Sequence, residues 1–154
     1  MSRRVAAGAL AALALSGGAA VARSDGPARV VANDRGGGTV AELQLPASGA
    51  FALTYRHSYY RKPAVERFRA AGGGFELVEI ASPSQAVLDY YEAEGRRTRR
   101  GGWWTLRLAR PARFDSMALA ATAVGRRTLV AGGRRVPLYG AGRARHLTIA
   151  VEGS

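Results

Sequence analysis

Residues 51–68 read FALTYRHSYYRKPAVERF, and their pattern decides the fold. From Phe51 to Arg56 apolar and polar side chains alternate, as they do along a half-buried strand. A short polar break containing Pro63 follows, and Val65 to Phe68 reads as the returning strand. Period two places Phe51, Leu53, Tyr55 and His57 on one face of the outgoing strand, and Glu66, Phe68 and Ala70 on one face of the return. Pairing Tyr55 with Phe68 sets His57 opposite Glu66, with Cβ atoms about 4.5–5.5 Å apart. A carboxylate at that separation favours the imidazolium form of the histidine.

Two readings compete for this hairpin end. In one, Tyr55, His57, Ser58 and Glu66 line a polar ligand-binding site. In the other, His57 and Glu66 are a cross-strand pair capping the core edge, and Ser58 belongs to the turn. A hydrolase using His57 as base is a further alternative. It is disfavoured because the adjacent His57 and Ser58 would point to opposite faces of a continuing strand, and no nucleophile-elbow glycine pattern surrounds the serine. No residue is assigned a catalytic role.

Outward from the hairpin, strands dominate. Arg29 to Ala32, Thr39 to Leu45, with Leu43 and Leu45 on one face, and Phe75 to Ile80 read as further strands, separated by turns rich in glycine. Trp103 to Leu108 places Trp104, Leu106 and Leu108 on one face, with Trp104 expected to be buried, and Trp103 on the other. Pro111 is expected to end that strand. Ser116 to Thr122, Thr128 to Val130, Arg135 to Leu138 and His146 to Val151 follow, and Ala131-Gly132-Gly133-Arg134 has the chemistry of a tight hairpin turn. His146 is expected at the exposed start of its strand. The exception is Ser82 to Glu94, where Ser82, Pro83 and Gln85 resemble a capped helix start, Val87, Leu88 and Tyr91 make a narrow apolar face, and Gly95 would stop it; an irregular excursion over one end of the sheet is the alternative. About ten short strands and one short helix predict a mainly β fold, an antiparallel β-sandwich or partly open barrel.

The first residues address the compartment. Ser2-Arg3-Arg4 is a positive start, Val5 to Leu15 is largely apolar, and Ala20-Val21-Ala22 offers the small residues a signal peptidase reads. The apolar run is shorter than the roughly 20 residues that span a bilayer. We therefore expect a cleaved secretory signal over residues 1–22, a single β-rich domain over 23–154, and a periplasmic or secreted location. Retention of the signal as an anchor is the alternative. The chain has no cysteine and two histidines, so neither a disulfide framework nor a metal centre is expected, and no cofactor.

The formal net charge is +12, and of 23 basic residues only Lys62 is a lysine. Arginine-rich, alanine-rich composition also reflects a GC-rich coding bias, so the charge need not signal a polyanion partner. The densest cluster, Arg96, Arg97, Arg99 and Arg100, precedes Gly101-Gly102 and Trp103-Trp104. Basic residues beside aromatics suit a polyanion or an acidic lipid face. A solvated loop leading into a buried strand is the plainer reading.

Phe51, Leu53, Tyr55, His57 and Ser58, then Pro63-Ala64-Val65-Glu66 and Phe68, with Glu79, Trp103-Trp104 and LVAGGRRVPL, together resemble the domain of unknown function 1850 family, small exported proteins. The resemblance covers most of Leu43 to Val151. It implies an accessory or binding role beside a TAXI-type TRAP transporter for organic acids, with the transporter subunits or their binding protein as partners. It implies that role and not a demonstrated activity; because no convincing catalytic motif is present, no enzyme is expected, nor a specific nucleic acid, and at most proximity to the membrane. One departure is SPSQAVLDYYEAEG after Glu79, where members of the family carry a glycine-rich turn; a helix is expected in its place.

Overall fold

The computed structural model describes residues 27–153; the expected signal segment lies outside them. In chain order the elements are β1 (Arg29–Asp34), β2 (Thr39–Gln44), β3 (Ala50–Arg56), β4 (Pro63–Ala71), β5 (Gly74–Ser82), α1 (Gln85–Asp89), β6 (Gly95–Arg100), β7 (Trp103–Phe114), β8 (Ser116–Ala121), β9 (Thr128–Ala131), β10 (Arg134–Pro137) and β11 (Arg145–Glu152). They form two antiparallel sheets, ordered β2-β1-β11-β8 and β10-β9-β3-β4-β5-β7-β6, and neither closes into a barrel. The expected mainly β sandwich is the architecture found.

Alternation explains why the two sheets face each other. Val30 and Ala32 of β1, Leu43 of β2 and Leu147 and Ile149 of β11 meet Phe51, Leu53, Phe68, Phe75, Ile80 and Leu129 of the larger sheet in one core. Phe51 stacks on Phe68 at 5.0 Å, and Phe75 meets both edge-on at 5.4 and 5.5 Å. Such edge-to-face aromatic contacts contribute beyond their buried area.

This aromatic group also sets the register of the central hairpin, which differs from the expected one. Phe51 pairs with Phe68, so Tyr55 pairs with Ala64 rather than Phe68, and Glu66 stands opposite Leu53 rather than His57. The strand ends at Arg56, and His57 belongs to the turn. The offset is an even number of residues, which leaves every side chain on its expected face; alternation alone therefore does not distinguish the two registers.

Three further expectations are corrected. The helix is a single turn that begins after Ser84, and Ser84 makes no side-chain cap. Ser82 is fully buried; its hydroxyl donates to the Pro63 carbonyl at 2.8 Å and accepts from the Ser84 N–H at 3.1 Å, tying β5 to β4 instead of capping a helix. Gly95 starts β6 rather than stopping the helix, because a Cβ there would lie 2.1 Å from the Arg107 carbonyl oxygen. Pro111 does not end β7: it sits where the β5–β7 register shifts, between the Leu77–Ala112 and Glu79–Arg107 pairs. A residue without an N–H is tolerated at such an irregularity.

The smaller sheet covers only part of the larger one's inner face. At the other part, α1 lays Val87 and Leu88 on Ala64 and Leu106, with Tyr55, Tyr60, Tyr91 and Trp104 around them. Trp104 is half-buried there instead of fully buried, while Trp103 is exposed. The arrangement leaves one end of the sandwich, where the β3–β4 turn meets α1, rich in tyrosine.

Candidate functional site

Glu66 is the odd residue on the inner face. It lies on β4 between Leu53 and Ile80, both fully buried, in a position that alternation gives to an apolar side chain. A half-buried carboxylate there needs donors to replace water, and two phenols supply them. The Tyr91 hydroxyl donates to Glu66 Oε1 at 2.5 Å, and the Tyr55 hydroxyl reaches the same oxygen at 3.3 Å. The two hydroxyls also hydrogen-bond to each other. Tyr55 comes from β3 two pairs along from Leu53; Tyr91 is carried in by the turn that follows α1. The Arg127 guanidinium lies over the Tyr55 ring, 4.7 Å from its centroid, a cation–π contact.

Electrostatics keep this group protonated on its phenols. Burial first, then the Glu66 charge, raises the Tyr55 hydroxyl well above the ordinary phenol range; Arg127 offsets this only in part. Burial and then Glu66 do the same to Tyr91. The cluster is thus a carboxylate holding two phenol donors, not a proton relay poised near neutrality.

His57 lies beside this cluster without joining it. Its ring centroid is 6.5 Å from that of Tyr55, and its edge meets Tyr90 at 4.8 Å and Tyr60 at 5.3 Å. The Tyr60 N–H donates to His57 Nδ1 at 3.3 Å, which assigns the ring proton to Nε2 in the neutral form. The His57 N–H donates to the Lys62 carbonyl and its carbonyl accepts from the Arg61 N–H, each at 2.8 Å, so the residue closes its own turn. Burial, and after it the Arg127 charge, holds the imidazole below its usual range. The expected Glu66 partner would have pushed it the other way. Of the four expected site residues, then, Tyr55 and Glu66 come together, buried His57 packs next to them, and Ser58 is exposed in the turn.

Tyr91 was read in the sequence only as part of a helix face, and Arg127 carried no signal at all. Each is brought in by a loop whose backbone is unusual. The described non-glycine residues with positive φ are Arg61 (55°), Glu92 (49°) and Arg126 (49°), and they lie in the three turns that build this end. The Arg56 N–H donates to the Gly125 carbonyl at 2.7 Å, joining the 122–127 turn to β3. Non-glycine residues in the left-handed region cost energy and tend to cluster at functional sites. Large side chains with apolar bodies are exposed around His57 among the polar Ser58, Arg61 and Lys62: Tyr59 is 76% exposed and Tyr90 63%, and Val124 is exposed in the neighbouring turn.

The arginine cluster is not the loop expected. Arg96 to Arg100 form the edge strand β6, paired with β7, so successive side chains alternate between faces. Arg97 turns inward and pairs with Asp89 at 2.5 Å. Arg99 packs over the Trp104 ring at 5.3 Å. Arg96 and Arg100 point to the outer face, so the four do not converge. Among the described residues no group of three histidine, aspartate, glutamate or cysteine side chains is placed to hold a metal ion.

A sequence model of a domain of unknown function (DUF1850) matches residues 51–138. That span runs from β3 to just past β10 and contains Tyr55, His57, Glu66, Tyr91 and Arg127. No curated protein and no solved structure matches the chain.

Proposed function

The chain belongs to the domain of unknown function 1850 family, and from that premise we propose that it is an exported, non-enzymatic binding module that assists a TAXI-type TRAP transporter of organic acids. The observation that carries the reading is the tyrosine end: exposed Tyr59 and Tyr90 grouped around buried His57, on turns held in the left-handed region. Tyrosines anchored by a rigid floor are the residues that dominate protein–protein binding energy, and exposed apolar groups gathered in one place mark interaction sites. Beneath them the Tyr55–Tyr91–Glu66 cluster fixes the position of the turn after α1. The partner is a transporter subunit or its soluble binding protein, and the location is periplasmic. The absence of a hydrogen bond between Ser58 and His57 among the described residues favours binding over hydrolysis.

The test is affinity capture of the tagged full-length chain from envelope extracts of its own host, with Tyr59→Ser/Tyr90→Ser alongside. A transporter subunit or its binding protein should co-elute with the wild type and be lost from the variant, whose thermal midpoint stays close to wild type. Capture of neither, or equal capture by both chains, overturns the reading.

A further inference from the structure

The arginines that do converge lie on the outer face of the seven-stranded sheet, and they come from four different strands. Cross-strand pairing puts Arg67 opposite Glu79, Glu79 opposite Arg107, and Arg107 opposite Arg96. One step along, Arg69 faces Glu76 and Glu76 faces Arg113. From β10, Arg135 reaches Thr54 at 3.3 Å on the same face. With Arg100, which shares the face of Arg96 on β6, seven arginines thus share this face with two glutamates.

The two glutamates do not cancel the field that a partner would meet. Glu79 binds Arg67 at 2.6 Å and Arg107 at 3.4 Å, and Glu76 binds Arg69 at 3.1 Å. Glu79 is only 15% exposed, whereas the Arg107 side chain above it is 70% exposed. The carboxylates are sunk at the level of the sheet and hold the guanidiniums upright over it. That arrangement lowers the entropy cost of presenting the cations. Direct juxtaposition of Arg96 and Arg107 is unfavourable within the fold; Glu79 relieves it in part through Arg107, and an external anion would relieve it further.

The opposite outer face provides the internal control. In the four-stranded sheet the outward charges on β1, β2 and β11 are Arg29, Glu42 and Glu152, with both glutamates paired to Arg29; Arg35 reaches this side beside His146 and Thr148, and β8 presents Ser116, Ala118 and Ala120, so the charges balance. A coding bias toward arginine scatters the residue over both faces; here one face is basic and the other is not.

The basic face is also partly apolar. Ala50, Ala52 and Val130 floor a shallow groove of about 530 Å3 flanked by Arg67 and Arg69. At the far edge, exposed Trp103 pairs with Arg100 on the same face. We propose that this face docks on an anionic phospholipid surface, with the guanidiniums on headgroup phosphates and Trp103 at the interface. Guanidiniums from neighbouring strands of one sheet face match a surface that presents many phosphates, and an interfacial tryptophan with neighbouring arginines is what a headgroup layer accommodates. A polyanion without apolar or aromatic groups, such as polyphosphate, makes no use of the apolar groove or of Trp103. The site is separate from the tyrosine end, so a partner protein and a membrane can be engaged together.

Flotation with the full-length chain tests this, using mixed phosphatidylcholine–phosphatidylglycerol vesicles against pure phosphatidylcholine. The leader is common to every variant, so differences between variants report on the domain. Arg96→Gln/Arg100→Gln/Arg135→Gln removes three outer-face charges that have no acidic partner among the described residues. Arg35→Gln/Arg143→Gln/Arg145→Gln removes the same charge elsewhere. An arginine near an anionic surface is worth about 1 kcal/mol, roughly fivefold in affinity, so the first triple should weaken binding to the anionic vesicles on the order of a hundredfold at low salt. The second triple should stay within a few-fold of wild type, and Trp103→Ala should weaken binding with no change in net charge. Equal loss in the two triples overturns the proposal, as does binding to soluble polyphosphate that follows the same variants while vesicle binding is absent.

Discussion

Tyr55 and Glu66 are not cross-strand partners, yet they hydrogen-bond: Glu66 stands opposite Leu53, and Tyr55, two residues farther along β3, reaches diagonally to its carboxylate at 3.3 Å. Diagonal neighbours on one sheet face lie within reach of a long aromatic side chain. The diagonal leaves room for a third group, and Tyr91 takes it. An acidic residue on the core face is thereby satisfied without a cationic partner in direct contact.

The cluster should behave as one unit. Glu66→Gln removes the charged acceptor and should cost about 1–3 kcal/mol, and Tyr91→Phe about 1–2. The triple Tyr55→Phe/Tyr91→Phe/Glu66→Leu removes donors and acceptor together and should recover much of that loss, because no polar group is left stranded. Urea unfolding of the three variants checks this. Losses that simply add would show that the three side chains are not coupled.

Stability should depend on pH through His57. The native imidazole binds its proton less readily than the ordinary value of 6.5 for the unfolded chain. The stability it contributes is therefore complete above that value and declines as pH falls below it, since the unfolded state takes up the proton first. The thermal midpoint should drop between about pH 7 and pH 5. His57→Asn, which keeps an acceptor for the Tyr60 N–H, should flatten that part of the profile. An unchanged slope would place the titrating group elsewhere.

Tyrosine titration should be biphasic. Of six tyrosines, Tyr55 and Tyr91 are held above the ordinary phenol range by burial and by Glu66. Ultraviolet titration of the folded protein should show them ionising last. Tyr55→Phe/Tyr91→Phe should remove that last phase.

The two tryptophans should differ in cost. Half-buried Trp104 packs among the residues under α1 and carries Arg99 over its ring. Trp104→Ala should cost about 1.5–3 kcal/mol, below the roughly 3–5 of a fully buried aromatic. Trp103→Ala should cost less than about 1 kcal/mol. Chemical denaturation of both variants separates the values, and equal losses would contradict the exposure of Trp103.

Gly95→Ala should be among the most damaging changes outside the core. Its methyl group would overlap the Arg107 carbonyl oxygen, a backbone atom that cannot rotate away. The first β6–β7 pair should open at a cost of about 1–3 kcal/mol. Hydrogen exchange of the β6 amides reads that opening directly, and unaltered protection would show that the backbone absorbs the methyl group.

Local pattern along the chain was enough to assign which faces the strands present and where the chain turns. Alternation over Phe51 to Arg56 and Leu147 to Val151 assigns inner and outer sides, and Gly132-Gly133, with φ of 55° and 78°, marks a hairpin turn that favours residues without a Cβ. The sandwich class follows from those two signals, and both are local. Register, the partners of Glu66 and the fate of the arginines were decided only by tertiary structure. A slip of four residues keeps every side chain on its face, so the choice between Phe51 and Tyr55 as the partner of Phe68 fell to the Phe51–Phe68–Phe75 packing. The Ser82–Glu94 pattern promised a longer helix, and the close approach of Gly95 to β7 cut it to one turn, swinging Tyr91 onto Glu66. Four consecutive-looking arginines were divided between two faces, while distant ones were gathered on a single face. Periodicity is a property of neighbours along the chain, but pairing energy is settled across strands, where the contacts that decide it are tens of residues apart.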